Sequence, residues 1–351
     1  MLNGKVILIT GGTGSFGRKF TEIILKRFRP RKIIIYSRDE YKQYEMQRQF
    51  TEYKDILRFF IGDVRDKARL CRALEDVDYV IHAAAFKQVP AAEYNPFEAV
   101  KTNIIGTQNL VEAAIDKGVK KVVALSTDKA VNPINLYGAT KLAMEKLIVA
   151  GENYAGGKDI TFAVVRYGNV LGSRGSVLPF FLELWHRGER IFPITDERMT
   201  RFWITLDEAV ELVLFALENA LGGEIFVPKI PSMKIVDLAR AICPECKFKI
   251  VGIRPGEKLH ETLISEDEAR TVRDLGPYYV ILPQFLFRQK RLYEHYADFP
   301  EVPEGFVYRS DRNDHWLTIE DLREILARDF GMEPCFPTEG IILMKKTSLV
   351  S

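Results

Sequence analysis

The chain is poor in the residues that would support several common chemistries. It has four cysteines (Cys71, Cys243, Cys246, Cys335) and five histidines (His82, His186, His260, His295, His315). Cys243-Pro244-Glu245-Cys246 is a lone CxxC, with no second pair and no two histidines at ligand spacing. A zinc site needs those partners, so none is expected. The two cysteines read as ordinary thiols near a helix end. A formal net charge of +2 gives no argument for nucleic acid or for an anionic membrane surface. No apolar run approaches the length of a membrane span. Met1-Leu2-Asn3-Gly4-Lys5 leads straight into a short apolar strand, without a basic stretch and a long apolar one. The expectation is a soluble, cytoplasmic protein without a secretory signal. The 24 Gly and 16 Pro are too dispersed to suggest disorder, and there is no internal repeat.

What is present suits a large α/β domain with a smaller companion. The chain has 351 residues, of which 47% are hydrophobic, enough for a sizeable core. Lys5 to Thr10 reads as a buried strand. Gly11-Gly12-Thr13-Gly14-Ser15-Phe16-Gly17 follows, and Arg18 to Phe28 has helical periodicity. Strand, glycine turn and helix come in the order of a dinucleotide fingerprint. The glycines permit a tight turn and close approach of pyrophosphate, and the helix offers it N–H groups and a positive dipole end. A second strand, Lys32 to Tyr36, ends in Ser37-Arg38 instead of an acid. A guanidinium there suits a 2′-phosphate, which favours NADP over NAD. The alternative is a merely solvated arginine. A third strand, Leu57 to Ile61, ends in Gly62-Asp63-Val64, where Asp63 could bond an adenine amine and Val64 pack on its ring. A fourth, Tyr79 to His82, is followed by Ala83-Ala84-Ala85, small enough for a cofactor to approach. A long helix is expected from Phe97 to Lys117 and a last strand from Ile160 to Val165.

This alternation predicts a doubly wound parallel sheet, a Rossmann fold, with helices on both faces. The expected division is a dinucleotide-binding domain over 1–170, with returns to the sheet around 200–230. A substrate-binding portion over 171–280 is interleaved with it. Residues 281–351 form an unassigned extension, in which 318–329 look like a capped helix. The loop from Gly172 to Pro179 carries a cation, Arg174.

The densest chemistry lies between Ser126 and Lys141. A strand-like run, Val122 to Leu125, ends in Ser126-Thr127-Asp128-Lys129. A loop follows, then a helix bearing Tyr137 and Lys141, whose i, i+4 spacing puts them on one face. An ammonium there is expected to lower the phenol from its ordinary value near 10 and make it a usable base.

With these segments in view, the chain resembles the extended short-chain dehydrogenase/reductases, through Thr10 to Gly17 and Tyr137-Gly138-Ala139-Thr140-Lys141. More narrowly, it is similar to the inverting UDP-N-acetylglucosamine 4,6-dehydratases of pseudaminic acid synthesis. Tyr36 to Glu40, Gly62 to Asp66, Ala91 to Pro96, Ser126 to Lys141, Arg166 to Pro179, Met199 to Trp203 and Arg254 to Glu261 carry that likeness over roughly residues 1–280. It implies an NADP-dependent lyase with a UDP-sugar substrate, in a homo-oligomer that could reach a hexamer. The alternatives are a UDP-sugar 4-epimerase and a bifunctional dehydratase/5-epimerase.

The resemblance also implies roles. Gly11, Gly14, Ser15, Phe16, Gly17 and Arg18 would hold the cofactor's phosphates. Ser37, Arg38, Asp63, Val64, Ala83 and Lys87 would take its adenosine half and flank, and Tyr137 and Lys141 its nicotinamide end. Tyr137 would take the O4 proton, assisted by Thr127, while Lys141 holds the nicotinamide ribose. Lys129 would be the base at C5 and Asp128 the acid at O6. A base needs Lys129 neutral, which burial and nearby positive charge would favour. Lys87, Asn169, Val177, Arg201, Arg254 and Glu257 would hold the UDP-sugar. Structural pairing of Arg254 with Glu257 at i, i+3 is the competing reading.

Overall fold

The structure is a computed structural model that describes residues 1–173, 175–285 and 289–331. Arg174 and Cys335 therefore lie outside the described residues.

The first half of the chain lays down a parallel sheet. Its elements are β1 (Val6–Thr10), α1 (Ser15–Arg27), β2 (Lys32–Ser37), α2 (Glu40–Gln49), β3 (Leu57–Ile61), α3 (Lys67–Ala73) and β4 (Tyr79–His82). Then come α4 (Val89–Tyr94), α5 (Pro96–Val100), α6 (Gly106–Lys117), β5 (Lys121–Thr127), α7 (Leu136–Tyr154) and β6 (Thr161–Tyr167). β1 and β4 are continuous apolar runs because helices cover both of their faces. α1 buries Phe20, Ile23 and Ile24 on one side, at helical spacing.

Short elements follow: β7 (Asn169–Val170), α8 (Val177–His186), β8 (Ile191–Ile194), β9 (Thr200–Ile204), α9 (Leu206–Asn219), β10 (Ile225–Pro228), β11 (Ser232–Lys234), α10 (Ile235–Ile242) and β12 (Lys247–Ile250). The described chain closes with β13 (Thr262–Ile264), α11 (Glu266–Ala269), β14 (Val272–Asp274), β15 (Tyr278–Ile281), α12 (Gln289–His295), β16 (Tyr308–Arg309) and α13 (Ile319–Phe330).

The main sheet has nine strands in the order β14-β15-β10-β6-β5-β4-β1-β2-β3. β1 to β6 and β10 run parallel, while β15 pairs antiparallel with β10 and β14 at one edge. The order reverses between β1 and β4, the switch point where doubly wound sheets bind ligands. The expected fold class is what forms. The last two strands come from the stretch assigned in sequence to the substrate side. A second apolar cluster joins α8, β8, β9, α10 and α13 through Phe181, Phe192, Trp203, Leu238 and Leu322. Two-stranded pairs β8–β12 and β13–β16 and the three-stranded set β11-β9-β7 lie in this later part. The β13–β16 pair folds the C-terminal region back on the segment before β13.

Three features depart from the sequence reading. The helix expected from Phe97 to Lys117 is interrupted by a π-helical stretch, Lys101–Ile105. Asn103 in that stretch is buried. Its Oδ1 accepts from Phe86 N (2.7 Å), and its Nδ2 donates to Phe86 O (3.0 Å) and Thr140 Oγ1 (2.9 Å). The local bulge thus ties the loop after β4 to α7. Second, the described residues after 280, left unassigned in sequence apart from the capped helix over 318–329, form α12, β16 and α13, the last being that helix, started by a Thr318/Asp321 capping box. Third, Cys243 and Cys246 are not free thiols but a disulfide. Cys243 caps α10, and Cys246 N donates back to Cys243 O (3.2 Å), a turn that brings both sulfurs together inside the second cluster. Among the described residues, no helix is long and apolar enough to cross a membrane.

Candidate active site

A cavity of about 1020 Å³ runs along the carboxyl ends of the parallel strands and under the later elements. At one end lies the glycine turn. Gly11 has φ +64, and a Cβ on Gly17 would stand 2.4 Å from Gly12 O, so the turn closes only with glycine there. Gly14 is the N-cap of α1 and offers no side-chain cap. The first-turn N–H groups are left for a ligand, and Gly14, Ser15, Phe16 and Gly17 all line the cavity. These residues fit a dinucleotide's pyrophosphate.

Arg18, expected beside them, is turned away. Its guanidinium donates to Lys42 O (3.1 Å), Gln49 Oε1 (3.0 Å) and Thr13 O (3.3 Å), and pairs with Glu45. As the fourth residue of α1, it points back over α2, not into the cavity. Lys42, which the sequence reading passed over, lines the cavity with Ser37 and Arg38. Asp39 cannot serve as a ribose-binding acid without giving up its own bonds. It caps α2 through Lys42 N (3.0 Å) and pairs with Lys42 Nζ (2.6 Å). Asp63 and Val64 line the cavity too, but the Asp63 carboxylate already accepts from the Arg65 backbone and guanidinium. Arg38 lies 3.7 Å from it.

The catalytic candidates sit where β5 ends and α7 begins. Asn135 caps α7, its Oδ1 accepting from Gly138 N (2.7 Å). A Cβ on Gly138 would stand 2.1 Å from Lys129 O, so glycine is what lets the helix pack on the Asp128–Ala130 turn. Tyr137 and Lys141 share a buried face, as their spacing predicts. The expected charge effect does not hold. Lys141 Nζ donates to Leu125 O (2.6 Å), and burial lowers Lys141 to about 8, against the pull of Glu145. Burial raises Tyr137 to about 12. The cation that opposes this rise is Lys129, not Lys141, and the Thr127 hydroxyl beside the phenol opposes it too.

Lys129 reaches the cavity wall, where Nζ donates to Asp128 Oδ1 (3.0 Å) and Asn169 Oδ1 (3.1 Å). Glu261 Oε1 is 3.6 Å away. Burial alone would lower Lys129, but the two carboxylates outweigh it and hold the ammonium charged. The neutral lysine expected from burial is therefore not the resting state. Asp128 has no exposed surface and does not line the cavity. Its Oδ1 also accepts from Thr127 Oγ1 (2.9 Å), while Oδ2 has no hydrogen-bond partner among the described residues. Burial and the Glu261 charge raise Asp128, against the pull of Lys129. Asp128 is thus held above the ordinary carboxylate range, the direction an acid needs, but it stands behind Thr127 and Lys129.

The far wall comes from the later elements. Lys87, Asn169, Val177, Arg201, Arg254 and Glu257 all line the cavity. Arg254 lies 3.8 Å from Glu257 and is largely exposed, so the i, i+3 pairing and access to a ligand coexist. Arg201 is buried. It donates to the carbonyls of Thr200 (2.7 Å), Leu259 (3.1 Å) and Lys258 (2.9 Å), and so clamps the 258–261 segment. Sequence reasoning missed Glu261, Lys258 and Asn135 as parts of the site. Asn135 Nδ2 donates to Gly256 O (2.8 Å), and Lys258 Nζ donates to Val131 O (2.6 Å). Nothing in their local spacing marks them, because the contacts span more than a hundred residues.

Comparison with known proteins agrees with this geometry. A family model described as polysaccharide biosynthesis protein matches residues 7–283. A UDP-N-acetylglucosamine 4,6-dehydratase (inverting) from Campylobacter jejuni subsp. jejuni (strain 81-176) is 54% identical over 340 residues, 94% of this chain and 100% of that one. A UDP-glucose 4-epimerase from Rickettsia canadensis is 44% identical over 292 residues, 80% of this chain and 84% of that one. The X-ray structure of Pen from Bacillus thuringiensis matches with a TM-score of 0.85 at 37% identity, covering 95% of this chain and 100% of that one.

Proposed function

The chain belongs to the polysaccharide biosynthesis protein family, and on that premise we propose that it is an NADP-dependent UDP-N-acetylglucosamine 4,6-dehydratase inverting C5. The product would be UDP-2-acetamido-2,6-dideoxy-β-L-arabino-hex-4-ulose, made in the cytoplasm as a first step of pseudaminic acid synthesis. The protein would act as a homo-oligomer. One observation carries the reading: Lys129 lies at the end of β5 on the same cavity wall as Tyr137. Oxidation at C4 needs the tyrosine and its helix partner alone. A second proton-transfer pair beside them is what elimination requires.

The nicotinamide, when bound, supplies the hydride acceptor and later the donor. Tyr137 takes the proton from O4 as C4 is oxidised only as the phenolate, a form that burial disfavours and that the Lys129 ammonium and the Thr127 hydroxyl favour. The resulting 4-ketone acidifies the C5 hydrogen. Lys129 passes a proton to Asp128 Oδ1 across their 3.0 Å bond and, as the amine, takes the C5 proton. The leaving O6 receives its proton from the Asp128 pair through Thr127 Oγ1 or Lys129 Nζ, since both reach the cavity and Asp128 does not. Arg254 and Glu257, at the opposite wall, suit the diphosphate and ribose of UDP. Arg38 and Lys42 favour NADP, because two cations and no free carboxylate stand where a 2′-phosphate would lie.

A 4-epimerase is the second reading, favoured by the Rickettsia canadensis relative. It would leave Lys129 and Asp128 without a task. Incubation of the purified protein with UDP-N-acetylglucosamine, read by mass spectrometry and NMR, decides between them. Loss of one water with inversion at C5 is expected. An unchanged mass with an altered C4 would refute the dehydratase reading.

A further inference from the structure

Glu261 is a buried carboxylate that the reaction above does not use. It is 2% exposed, yet it borders the cavity. Its Oε1 stands 3.6 Å from Lys129 Nζ and 3.8 Å from Arg201 Nε, and its Oε2 stands 3.8 Å from Lys258 Nζ. Oε2 is buried and has no hydrogen-bond partner among the described residues. A carboxylate so placed costs free energy unless its charge is used.

The backbone of Glu261 is held from both sides. Its N–H donates to Ser310 Oγ (2.9 Å), and its carbonyl accepts from Ser310 N (2.9 Å). Ser310 follows β16 directly, so the C-terminal region fixes this residue. The segment around it is tied to the catalytic turn by the Asn135–Gly256 and Lys258–Val131 bonds. Arg201 clamps it from β9. Four chain regions therefore converge on one side-chain position facing Lys129.

We propose that Glu261 is a positioning residue for Lys129: its carboxylate anchors the ammonium opposite Asp128 and Asn169 and governs when Lys129 can accept the C5 proton. The step it governs rests on the dehydratase reading, while the anchoring stands apart from it. The charged and titratable groups facing Lys129 are Asp128 on its own turn, Tyr137 from α7, Lys87 from the loop after β4, Arg201 from β9, and Lys258 and Glu261. Of these, the two carboxylates favour the ammonium and the three cations oppose it. Burial raises Glu261, but Lys129, Arg201 and Lys258 outweigh it and keep Glu261 ionised. With Glu261 neutral, Asp128 alone would hold the proton on Lys129.

The test uses the full chain with Glu261→Gln, which keeps shape and removes charge, and Glu261→Asp, which keeps charge and shortens reach. The first readout needs no substrate: acetylation of Lys129 by acetic anhydride across pH, followed by mass spectrometry of its peptide. The Lys129 midpoint should fall by about one pH unit or more in Glu261→Gln, with an intermediate fall in Glu261→Asp. The second readout is the pH profile of water loss. Its acid limb should move to lower pH by the same amount, because the amine form becomes available earlier, while NADP affinity stays within about twofold. A Lys129 midpoint equal to wild type in both variants overturns the proposal. If the wild type releases no water but the midpoint still moves, the anchor stands and the dehydratase reading falls.

Discussion

Arg166 offers the sharpest test of how the cavity is held open and aligned. Its guanidinium is 1% exposed and every hydrogen bond it makes is internal. It donates to Glu145 Oε1 (2.9 Å) and Oε2 (2.6 Å), to Glu268 Oε2 (3.0 Å) and Oε1 (2.8 Å), and to Leu263 O (2.9 Å). Glu145 lies one helical turn beyond Lys141 on α7, and Leu263 lies in β13, two residues after Glu261. The arginine thus ties the helix that carries Tyr137 to the far wall. Arg166→Met fills most of the volume but leaves a fully buried carboxylate without its partner. Breaking such a pair costs about 3–5 kcal/mol, roughly two to four orders of magnitude in the unfolding equilibrium. With a urea m-value near 3 kcal/mol/M, the midpoint should fall by about 1–1.7 M. The gap should also depend on pH. Burial would raise Glu268, but the charge and hydrogen bonds of Arg166 and the bonds from Ser265 hold it below the usual carboxylate range. A depressed carboxylate stabilises the fold above its unfolded value near 4.3, and that stability is lost as pH falls through the lower folded value. The difference between wild type and variant should be full at pH 7 and shrink below about pH 4. Urea titrations followed by circular dichroism at several pH values measure both effects. A destabilisation under about 1 kcal/mol, or one that does not change with pH, would refute the argument.

Three further outcomes are expected. Arg38→Asp should weaken NADP roughly ten- to a hundredfold and spare NAD, the worth of a charge-assisted hydrogen bond; titration calorimetry with both cofactors checks it. Arg18→Ala should leave the NADP dissociation constant within about twofold, because that side chain grips α2; a tenfold loss would return Arg18 to the phosphate site. Gly138→Ala should fold, helped by the better helix propensity of alanine. It should nonetheless lose on the order of 10²-fold in turnover, since its Cβ would meet Lys129 O at 2.1 Å and displace the catalytic turn. Wild-type kcat in that variant would show that the turn tolerates the shift.

The devices legible in the chain are local ones. The glycine turn, the Tyr137–Lys141 spacing and the alternation of short apolar strands with amphipathic helices each depend on neighbours a few residues apart. Backbone sterics and the helical repeat fix such features wherever they occur. From them followed the sheet, the switch point and the segment that bears the chemistry. The charge states were not legible, because they depend on what folding brings within 4 Å. Lys129 has Asp128 beside it in sequence, but it also meets Glu261 from a distant segment, and the two carboxylates together outweigh the burial that would lower it. Lys141 spends its ammonium on Leu125 O, so the cation that tempers Tyr137 is a different lysine. Arg18 lies next to the phosphate turn in sequence, yet the helical twist of α1 swings it onto α2. The chain's short-range order thus decides which groups reach the site. Which of them hold protons is decided by long-range contacts, because electrostatic energies depend on distance and burial in the finished fold and not on sequence spacing.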